Sequence, residues 1–260
     1  MQIVTWNVNS LRVRLERVCA WLERHQPDVV CLQETKCPDD QFPEAELRAL
    51  GYALAYTGEK GLNGVAILSK RPLEDVALAL PGRDDDAQRR FVAATVDGVR
   101  VINVYVPNGQ ALASEAFFYK LDWLGRLQRL LVSQHDPGQP LVLLGDFNIA
   151  PDDQDVHDPV AWKNRLHTSP HERAAVERLR GWGLHDLLRE RHPEGGLFSW
   201  FDYRDGSGAE VVEKNQGLRI DLILATAPLR ERLEAVRIDL EERRGDKPSD
   251  HAPVVATFGG

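Results

Sequence analysis

Polar and ionisable side chains occur where several strand-like segments of the sequence end. Residues 141–150 read LVLLGDFNIA, in which an aliphatic run stops at Gly145 and is followed by Asp146 and Asn148. Comparable positions elsewhere hold Asn7, Glu34, Tyr105, Asp221, Asp250 and His251. A buried charge is costly unless it is paired, hydrogen-bonded or bound to metal. Repeating that cost at many strand ends indicates a shared site rather than a contribution to stability.

The predicted site is rich in oxygen donors. Carboxylate and amide oxygens are typical ligands of hard cations such as Mg²⁺ or Mn²⁺ rather than of zinc. The three cysteines, Cys19, Cys31 and Cys37, show no CxxC spacing, so neither a zinc site nor a disulfide framework is indicated. Taken singly, each polar residue has a simpler interpretation, since Asn or Asp after a strand is often a turn residue. The complete set favours a divalent metal site.

Alternating apolar patterns predict the elements that would position these groups. A helix is expected after Ser10, another at residues 114–132, and a third after Ser169, where SPHE is a capping box with proline at the first helical position. Strands are expected at residues 3–8, 28–33, 64–69, 91–96, 101–106, 141–144, 198–201, 218–224 and 254–258. So many strands, with helices between some of them, predict an α+β sandwich of two packed sheets with helices outside.

The organisation of the chain favours a single domain over residues 1–260. The sequence has no linker-like tract or internal repeat, and its longest polar, glycine-containing stretch, residues 202–217, is expected to be a loop. The N-terminus lacks a signal peptide and no apolar run is long enough to span a bilayer, so we expect a soluble cytoplasmic protein with no membrane partner. The absence of a heptad repeat predicts a monomer.

A formal net charge of -8 argues at first against a nucleic-acid-binding protein. However, carboxylates gathered at a metal site would be neutralised by the ion, and local basic clusters could still form a contact face. Such clusters occur at Arg12/Arg14/Arg17, at Gln88-Arg89-Arg90 and at Lys163-Asn164-Arg165. We predict that Arg90 contacts substrate, although each cluster alone could be an ordinary solvated surface.

Six ordered motifs carry a resemblance to a known family. The chain contains PDVVCLQETK, VYVPNG, LLGDFNIAP, FSWFDYR, NQGLRID and KPSDHAP over nearly its whole length. This set resembles the exonuclease III family of DNA-repair nucleases, within the endonuclease/exonuclease/phosphatase superfamily. LQE, GDFN and SDHAP would match the superfamily in general, whereas FSWFDYR and NQGLRID point to the DNA-repair branch. The resemblance implies a four-layer α/β/β/α sandwich of two mixed sheets.

The resemblance also implies a metal and a substrate. Asn7 and Glu34 would hold Mg²⁺, with Mn²⁺ as a possible substitute and Asp250 as a further ligand. The substrate would be double-stranded DNA with 3′ ends, 3′ phosphates or abasic sites. The implied activities are a 3′-to-5′ exodeoxyribonuclease and a 3′-end-cleaning phosphatase or phosphodiesterase, with a weaker abasic-site endonuclease.

Catalytic roles follow from the same resemblance. Asp146 would transfer a proton, to the leaving oxygen or from the attacking water, and Asn148 would orient that water. Asp221 would polarise His251, which contacts the phosphate oxygens. Two further side chains would reach the same phosphate: Tyr105 and Asn108.

An apolar pocket for a base-free sugar or frayed nucleotide is implied at Trp200, Leu218 and Ile220. These residues could equally be an ordinary core cluster. The neighbouring loop RLHTSPHE carries the bulky His167. We hypothesise that His167 crowds the pocket for a flipped-out abasic sugar, so that trimming of 3′ ends and removal of 3′ phosphates exceed incision at abasic sites.

Two other classes of protein stay open at this point. A lipid or inositol phosphatase would share the metal residues but should have a basic headgroup pocket or a membrane-binding surface in place of FSWFDYR and NQGLRID. A non-catalytic DNA-binding module would be expected to have lost one of the site residues. The sequence retains Glu34, Asp146, Asp221, Asp250 and His251.

Overall fold

Two β-sheets pack face to face in this computed structural model, which describes residues 1–83, 85–203 and 208–260. The strands are β1 Gln2–Asn7, β2 Val29–Gln33, β3 Ala53–Glu59, β4 Leu62–Ser69, β5 Glu74–Ala77, β6 Phe91–Val96, β7 Val99–Tyr105, β8 Leu141–Asp146, β9 Leu184–Asp186, β10 Asp221–Thr226, β11 Leu233–Ile238 and β12 Val254–Phe258. The helices are α1 Leu11–His25, α2 Glu44–Ala49, α3 Glu115–Gln134, α4 Pro159–Trp162, α5 Pro170–Gly181, α6 Leu187–Arg191, α7 Gly208–Glu213 and α8 Ala227–Arg230.

Both sheets have six strands and mixed topology. The first has the order β11-β12-β1-β2-β4-β3 and the second β5-β6-β7-β8-β10-β9. In each sheet one central pair is parallel, β1 with β2 and β7 with β8. A parallel pair needs a crossover connection, and α1 and α3 provide the two crossovers. The carboxyl ends of each parallel pair therefore lie at the same edge of their sheet.

Three apolar clusters hold the layers together. One lies between the sheets and includes Ile3 and Ile67 of the first sheet and Val101 and Leu144 of the second. A second cluster packs α3 and α5 on the outer face of the second sheet, and a third packs α1 and α2 on the outer face of the first. Each fully buried aliphatic side chain contributes about 1.5–3 kcal/mol relative to an exposed one. The predicted α+β sandwich of two mixed sheets flanked by helices is confirmed.

Helix starts follow the local sequence signals where these are strong. The side chain of Ser114 accepts a hydrogen bond from Phe117 N and caps α3. The predicted capping box is formed at α5, where the side chains of Ser169 and Glu172 bond each other's backbone N–H groups. Ser10 precedes α1 as predicted, but its side chain makes no capping bond because the residue has a φ of +86°.

The predicted strand at residues 198–201 is wrong. Only Trp200 pairs there, through isolated bridges to Leu218 and His251. The segment threads between two loops, where Ser199 O accepts from Ala252 N and Trp200 exchanges backbone bonds with Leu218. Its polar backbone groups are satisfied by these loops, so no continuous ladder forms. The strand predicted at 218–224 begins only at Asp221 for the same reason.

Several short elements carried no clear sequence signal. β3, β5, β9 and β11 were not predicted, because β5 and β9 are only four and three residues long and β3 and β11 do not alternate cleanly. The stretch predicted as a loop, residues 202–217, contains α7, while residues 204–207 lie outside the described residues. Every helix in the described part of the chain is too short or too polar to traverse a membrane. The single domain over residues 1–260 stays a prediction.

Candidate active site

The ends of four central strands and the start of β10 meet at one edge of the sandwich. The register pairs Asn7 with Gln33 across β1 and β2, and Asp146 with both Tyr105 of β7 and Asp221 of β10. Gly145 is needed for this approach, because a Cβ there would lie 1.9 Å from the carbonyl oxygen of Val104. The fold thus brings residues that are far apart in the sequence to one place.

Asn7 links carboxylates that belong to different sheets. Its Nδ2 donates to Glu34 Oε1 at 2.8 Å and to Asp146 Oδ2 at 2.9 Å, while its Oδ1 accepts from Asn9 N at 3.0 Å. Glu34 Oε2 lies 2.7 Å from Lys36 Nζ. Burial opposes ionisation of Glu34, but the Lys36 ammonium and the Asn7 bond keep its pKa below the ordinary value. Glu34 is therefore an anionic group that is only partly buried at the site.

Asp146 is buried and carries a strongly perturbed carboxyl group. Its Oδ1 accepts from Asn148 N at 2.8 Å. Burial raises its pKa; the charge on His251 lowers it, whereas the carboxylates of Asp221 and Glu34 raise it, and the result is about 7. A carboxyl group whose pKa lies near neutrality is suited to proton transfer at physiological pH.

His251 and Asp221 form a buried carboxylate–imidazole pair. His251 Nδ1 lies 2.8 Å from Asp221 Oδ2, and His251 Nε2 lies 3.8 Å from Asp146 Oδ2. Burial disfavours the imidazolium, but Asp221 and Asp146 outweigh it and raise the pKa of His251 to about 10. Nδ1 therefore donates to Asp221, and a protonated Nε2 can donate to an anionic oxygen.

The amides and the phenol complete the same wall. Asn108 Nδ2 donates to Asn148 Oδ1 at 3.1 Å, and Asn148 Nδ2 donates to Val106 O at 3.1 Å. The guanidinium of Arg90 lies 4.5 Å from the ring centroid of Tyr105 and donates to the Tyr105 carbonyl at 3.3 Å. Burial and the carboxylates of Glu34 and Asp146 raise the pKa of Tyr105, so its hydroxyl stays a donor.

Asp250 lies at the side of the cluster. Its Oδ1 accepts from Asn9 Nδ2 at 3.0 Å and its Oδ2 from Trp200 Nε1 at 3.1 Å. The group of potential ligand atoms that lie within 4.8 Å of one another consists of Glu34, Asp146 and His251, without Asp250. Of the predicted metal residues, Glu34 belongs to this group and Asn7 borders it through Nδ2, which donates to Glu34 and Asp146. Asp250 is bound to the neighbouring loops.

The residues predicted to line a pocket do pack together. Trp200, Leu218 and Ile220 form one apolar cluster, joined by Ala150, Val156 and Trp162. Leu218 and Ile220 are fully buried, whereas Trp200 is half-buried.

His167 lies beside this cluster and is half-buried. Its ring centroid is 6.4 Å from that of Trp162, and its Nδ1 is 2.6 Å from Asn148 O. A carbonyl can only accept, so Nδ1 carries the proton. Burial and the Lys120 ammonium lower the pKa of His167 to about 4, which leaves the imidazole neutral.

Sequence reasoning missed two serines that support the site. Ser199 Oγ donates to Asp221 Oδ2 at 2.6 Å and accepts from Asp221 N at 3.2 Å. Ser249 Oγ donates to Asn7 O at 2.6 Å and accepts from His251 N at 3.2 Å. Their only sequence signal is their position inside two of the motifs, Ser199 in FSWFDYR and Ser249 in KPSDHAP.

The donor set fits a hard divalent cation. Carboxylate oxygens of Glu34 and Asp146 lie within 4.8 Å of each other, and a cation between like charges relieves their repulsion. Asp221 Oδ1 is buried without a hydrogen-bond partner among the described residues, so one carboxylate oxygen of the cluster is not stabilised by any donor. Oxygen donors with a single imidazole are not the donor set of a closed structural zinc site. The acidic cluster can therefore bind a metal ion.

Comparisons with known proteins agree with this geometry. The family described as "Endonuclease/Exonuclease/phosphatase family" matches residues 4–251. An exodeoxyribonuclease III from Haemophilus influenzae is 39% identical over 99% of this chain and 100% of its own length. Two solved structures superpose over the full length of both chains: the 3′ phosphatase NExo from Neisseria bound to a product DNA hairpin, with a TM-score of 0.95 and 47% identity, and an AP endonuclease from Archaeoglobus fulgidus, with a TM-score of 0.96 and 41% identity.

The chain belongs to the endonuclease/exonuclease/phosphatase family. Within it, the chain is an exodeoxyribonuclease III-like nuclease, a hydrolase of the metal-dependent DNA-repair group. The family and enzyme class predicted from the six motifs are confirmed.

Proposed function

We propose that this protein hydrolyses phosphate esters at the 3′ ends of double-stranded DNA, using Mg²⁺ held by Glu34 and Asn7. The observation that carries the proposal is the buried Asp146, which lies between the Asn7–Glu34 pair and the Asp221–His251 pair. Relatives whose names state a DNA exonuclease, a 3′ phosphatase and an AP endonuclease support the choice of substrate. The predicted cytoplasmic location and monomeric state stay predictions.

The residues divide the reaction between them. Asp146 accepts the proton of the attacking water, which Asn148 orients, as the oxygen–phosphorus bond forms and the bond to the 3′ oxygen breaks. The imidazolium of His251, held by Asp221, donates to a phosphoryl oxygen and offsets its developing charge. Bound Mg²⁺ would stabilise charge on the phosphoryl and leaving oxygens.

Substrate contacts extend from this centre. Asn108 bonds Asn148 and Tyr105 is paired with Asp146 across β7 and β8, and both are proposed to hold the same phosphate. Arg90, stacked on Tyr105, is proposed to contact the DNA backbone. Asp250 is proposed as a further metal ligand. Its two oxygens already accept hydrogen bonds from Asn9 and Trp200, so it would act from the side of the cluster.

His167 is proposed to set the preference among lesions. Its ring is fixed by the bond to Asn148 O and by contact with Trp162, next to the cluster of Trp200, Leu218 and Ile220. A fixed imidazole at this position crowds the pocket for an internal flipped-out abasic sugar, so that trimming of 3′ ends and removal of 3′ phosphates exceed incision at abasic sites. His167→Gly and His167→Ser should raise abasic-site incision relative to 3′-phosphate release, and no gain would contradict the hypothesis.

The experiment compares three duplexes: one with a recessed 3′ end, one with a 3′ phosphate and one with an internal abasic site. Each is incubated with Mg²⁺ or with EDTA, using wild type, Asp146→Asn and the matched control Asp97→Asn, which changes an exposed turn residue in the same way. We expect Mg²⁺-dependent cleavage by wild type and Asp97→Asn only. DNA ends left intact by wild type with Mg²⁺ would refute the proposal.

The other classes are tested in the same assay series. A lipid or inositol phosphatase would release phosphate from short-chain phosphoinositides and leave the three duplexes intact. A binding module would shift the duplexes in a gel without cleaving them in either condition. The family relatives favour the nuclease, since the Haemophilus influenzae protein is named an exodeoxyribonuclease and the Neisseria protein is bound to a product DNA hairpin.

A further inference from the structure

A buried ion pair lies directly behind the loops that carry Asn108 and Asn148. Lys120 of α3 and Glu172 of α5 are both fully buried, and Lys120 Nζ lies 2.5 Å from Glu172 Oε1. Helices α3 and α5 pack on the outer face of the second sheet, so the pair connects the helical layer to the site edge. A buried pair is weak evidence for stability, because apolar residues of similar volume are often equally stabilising.

The lysine uses its remaining donors on the backbone of the site. Besides Glu172, Lys120 Nζ donates to Asn148 O at 2.7 Å and to Asn108 O at 3.1 Å. An ammonium group has three donors, and all three are directed at these acceptors. The two amides whose side chains bond each other at the site are thus held from below by one charge.

The glutamate holds the other side of the same loop. Glu172 Oε1 also accepts from His167 N at 3.1 Å, and its Oε2 accepts from Ser169 N at 3.1 Å and from Ser169 Oγ at 2.6 Å. His167 returns a bond to Asn148 O through its Nδ1. Lys120, Glu172, His167 and Asn148 therefore form a closed ring of hydrogen bonds.

The backbone held by this ring is in a costly conformation. Asn148 has a φ of +50° and His167 a φ of +74°, in the left-handed region that non-glycine residues seldom adopt. Such conformations persist only where the surroundings hold them in place. Charge-assisted bonds are stronger and more directional than neutral ones, which explains a charged pair in an otherwise apolar layer.

We propose that Lys120 and Glu172 are positioning residues for the reaction, which fix the backbone of Asn108 and Asn148 so that their side chains face the reacting phosphate, and which hold His167 beside the apolar cluster. Neither residue touches substrate. The inference rests on the proposed function, and it extends the site to two residues that the six motifs do not include. A misplacement of about 1 Å at a site is enough to cost roughly 10²-fold in rate.

The test uses a double variant that should restore the stability of the protein without restoring the position of the site backbone. Lys120→Met removes the charge but leaves Glu172 unpaired, so both stability and kcat should fall. The double variant Lys120→Met/Glu172→Gln contains no unpaired charge, and the glutamine can still cap Ser169. We expect it to recover most of the wild-type Tm while kcat for 3′-phosphate release stays about 10²-fold low, with the KM for duplex DNA within about threefold of wild type.

A recovery of kcat together with Tm in the double variant would overturn the proposal, since a merely structural pair predicts that activity follows the folded fraction. A readout without turnover completes the design. In wild type, ¹⁵N NMR of the imidazole should show His167 protonated on Nδ1, because Asn148 O accepts from it. In both variants this tautomer should lose its preference, and an unchanged His167 spectrum would count against the inference.

The two levels of failure are distinguishable. If wild type does not cleave DNA, the proposed function fails, while the His167 spectra still decide whether the pair fixes the loop. If wild type cleaves DNA and the double variant is fully active, the positioning role alone fails.

Discussion

Two buried charge clusters share one short segment of the chain, to which the first contributes Arg219 and the second Asp221, and they behave in opposite ways. The arginine cluster is centred on Arg219, which makes two bonds to Asp155 and two to Asp186. Arg189 also pairs with Asp155, so two cations meet two anions. The site cluster is centred on Asp146, with Glu34, Asp221 and His251, and has three carboxylates for two cations, the imidazolium of His251 and the Lys36 ammonium beside Glu34. One cluster is compensated and the other is not.

The difference is visible in the pKa values. In the arginine cluster, burial opposes the charges, but the partners outweigh it and hold the pKa of Arg219 above and that of Asp186 below its ordinary value. In the site cluster, burial and neighbouring carboxylates raise the pKa of Asp146 to about 7. A compensated cluster supports the fold, whereas an uncompensated one is available to a cation and to a proton.

The largest expected effect is on catalysis by Asp146→Asn. The asparagine keeps the volume but cannot accept a proton from water, so kcat for 3′-phosphate release should fall by about 10²- to 10⁴-fold. The measurement is phosphate release at saturating duplex and Mg²⁺. A loss below tenfold would show that Asp146 is not the group that transfers the proton.

Arg219→Met should have its main effect on stability. Methionine fills much of the space but leaves Asp155 and Asp186 facing each other without their shared cation, and breaking a buried pair in this way costs about 3–5 kcal/mol. Urea unfolding measures the loss. The kcat per folded molecule should stay within about threefold of wild type. A large fall in kcat at full folding would make the arginine cluster part of the active machinery and remove the contrast.

The two clusters also differ in how far the sequence could predict them. Asp146 and Asp221 follow or begin apolar runs, so their positions at strand ends were predictable, and the family motifs supplied their roles. The pairing of Arg219 with Asp155, 64 positions away, was not, because no local pattern records which charges meet across a fold. Lys120 is similarly hidden, since a lysine in an amphipathic helix is typical of an exposed face. The strand prediction for residues 198–201 was wrong for the converse reason. The local sequence pattern is strand-like, but the backbone groups bond the flanking loops instead of a neighbouring strand.

The pH dependence of stability should sharpen the contrast. The pKa of Asp146 is higher in the folded protein, about 7, than in the unfolded chain, about 4. Its contribution to stability is therefore fully present below pH 4 and is lost as the pH rises through 7. In EDTA, the free energy of unfolding of wild type relative to Asp146→Asn should fall by on the order of 4 kcal/mol between pH 4 and pH 8. Urea titrations at both pH values measure the difference, and a constant difference would mean that Asp146 is not perturbed by burial.

The smallest effect expected is that of Ser199→Ala, which tests how far the site cluster depends on its neutral supports. Removing the hydroxyl takes one hydrogen bond from Asp221 Oδ2 and leaves its bond to His251 in place. A hydrogen bond of this kind contributes about 1–2 kcal/mol, so kcat should fall about five- to twentyfold as the carboxylate–imidazole pair loses its fixed orientation. Ser69→Ala is the matched control, because it removes a buried hydroxyl that accepts from Arg71 N at the end of β4 opposite the site, at a cost of about 1 kcal/mol in stability. If both variants lose stability equally and neither loses kcat, the orientation of Asp221 is set by the strand alone, and the charges of the site cluster need no neutral partner to hold them.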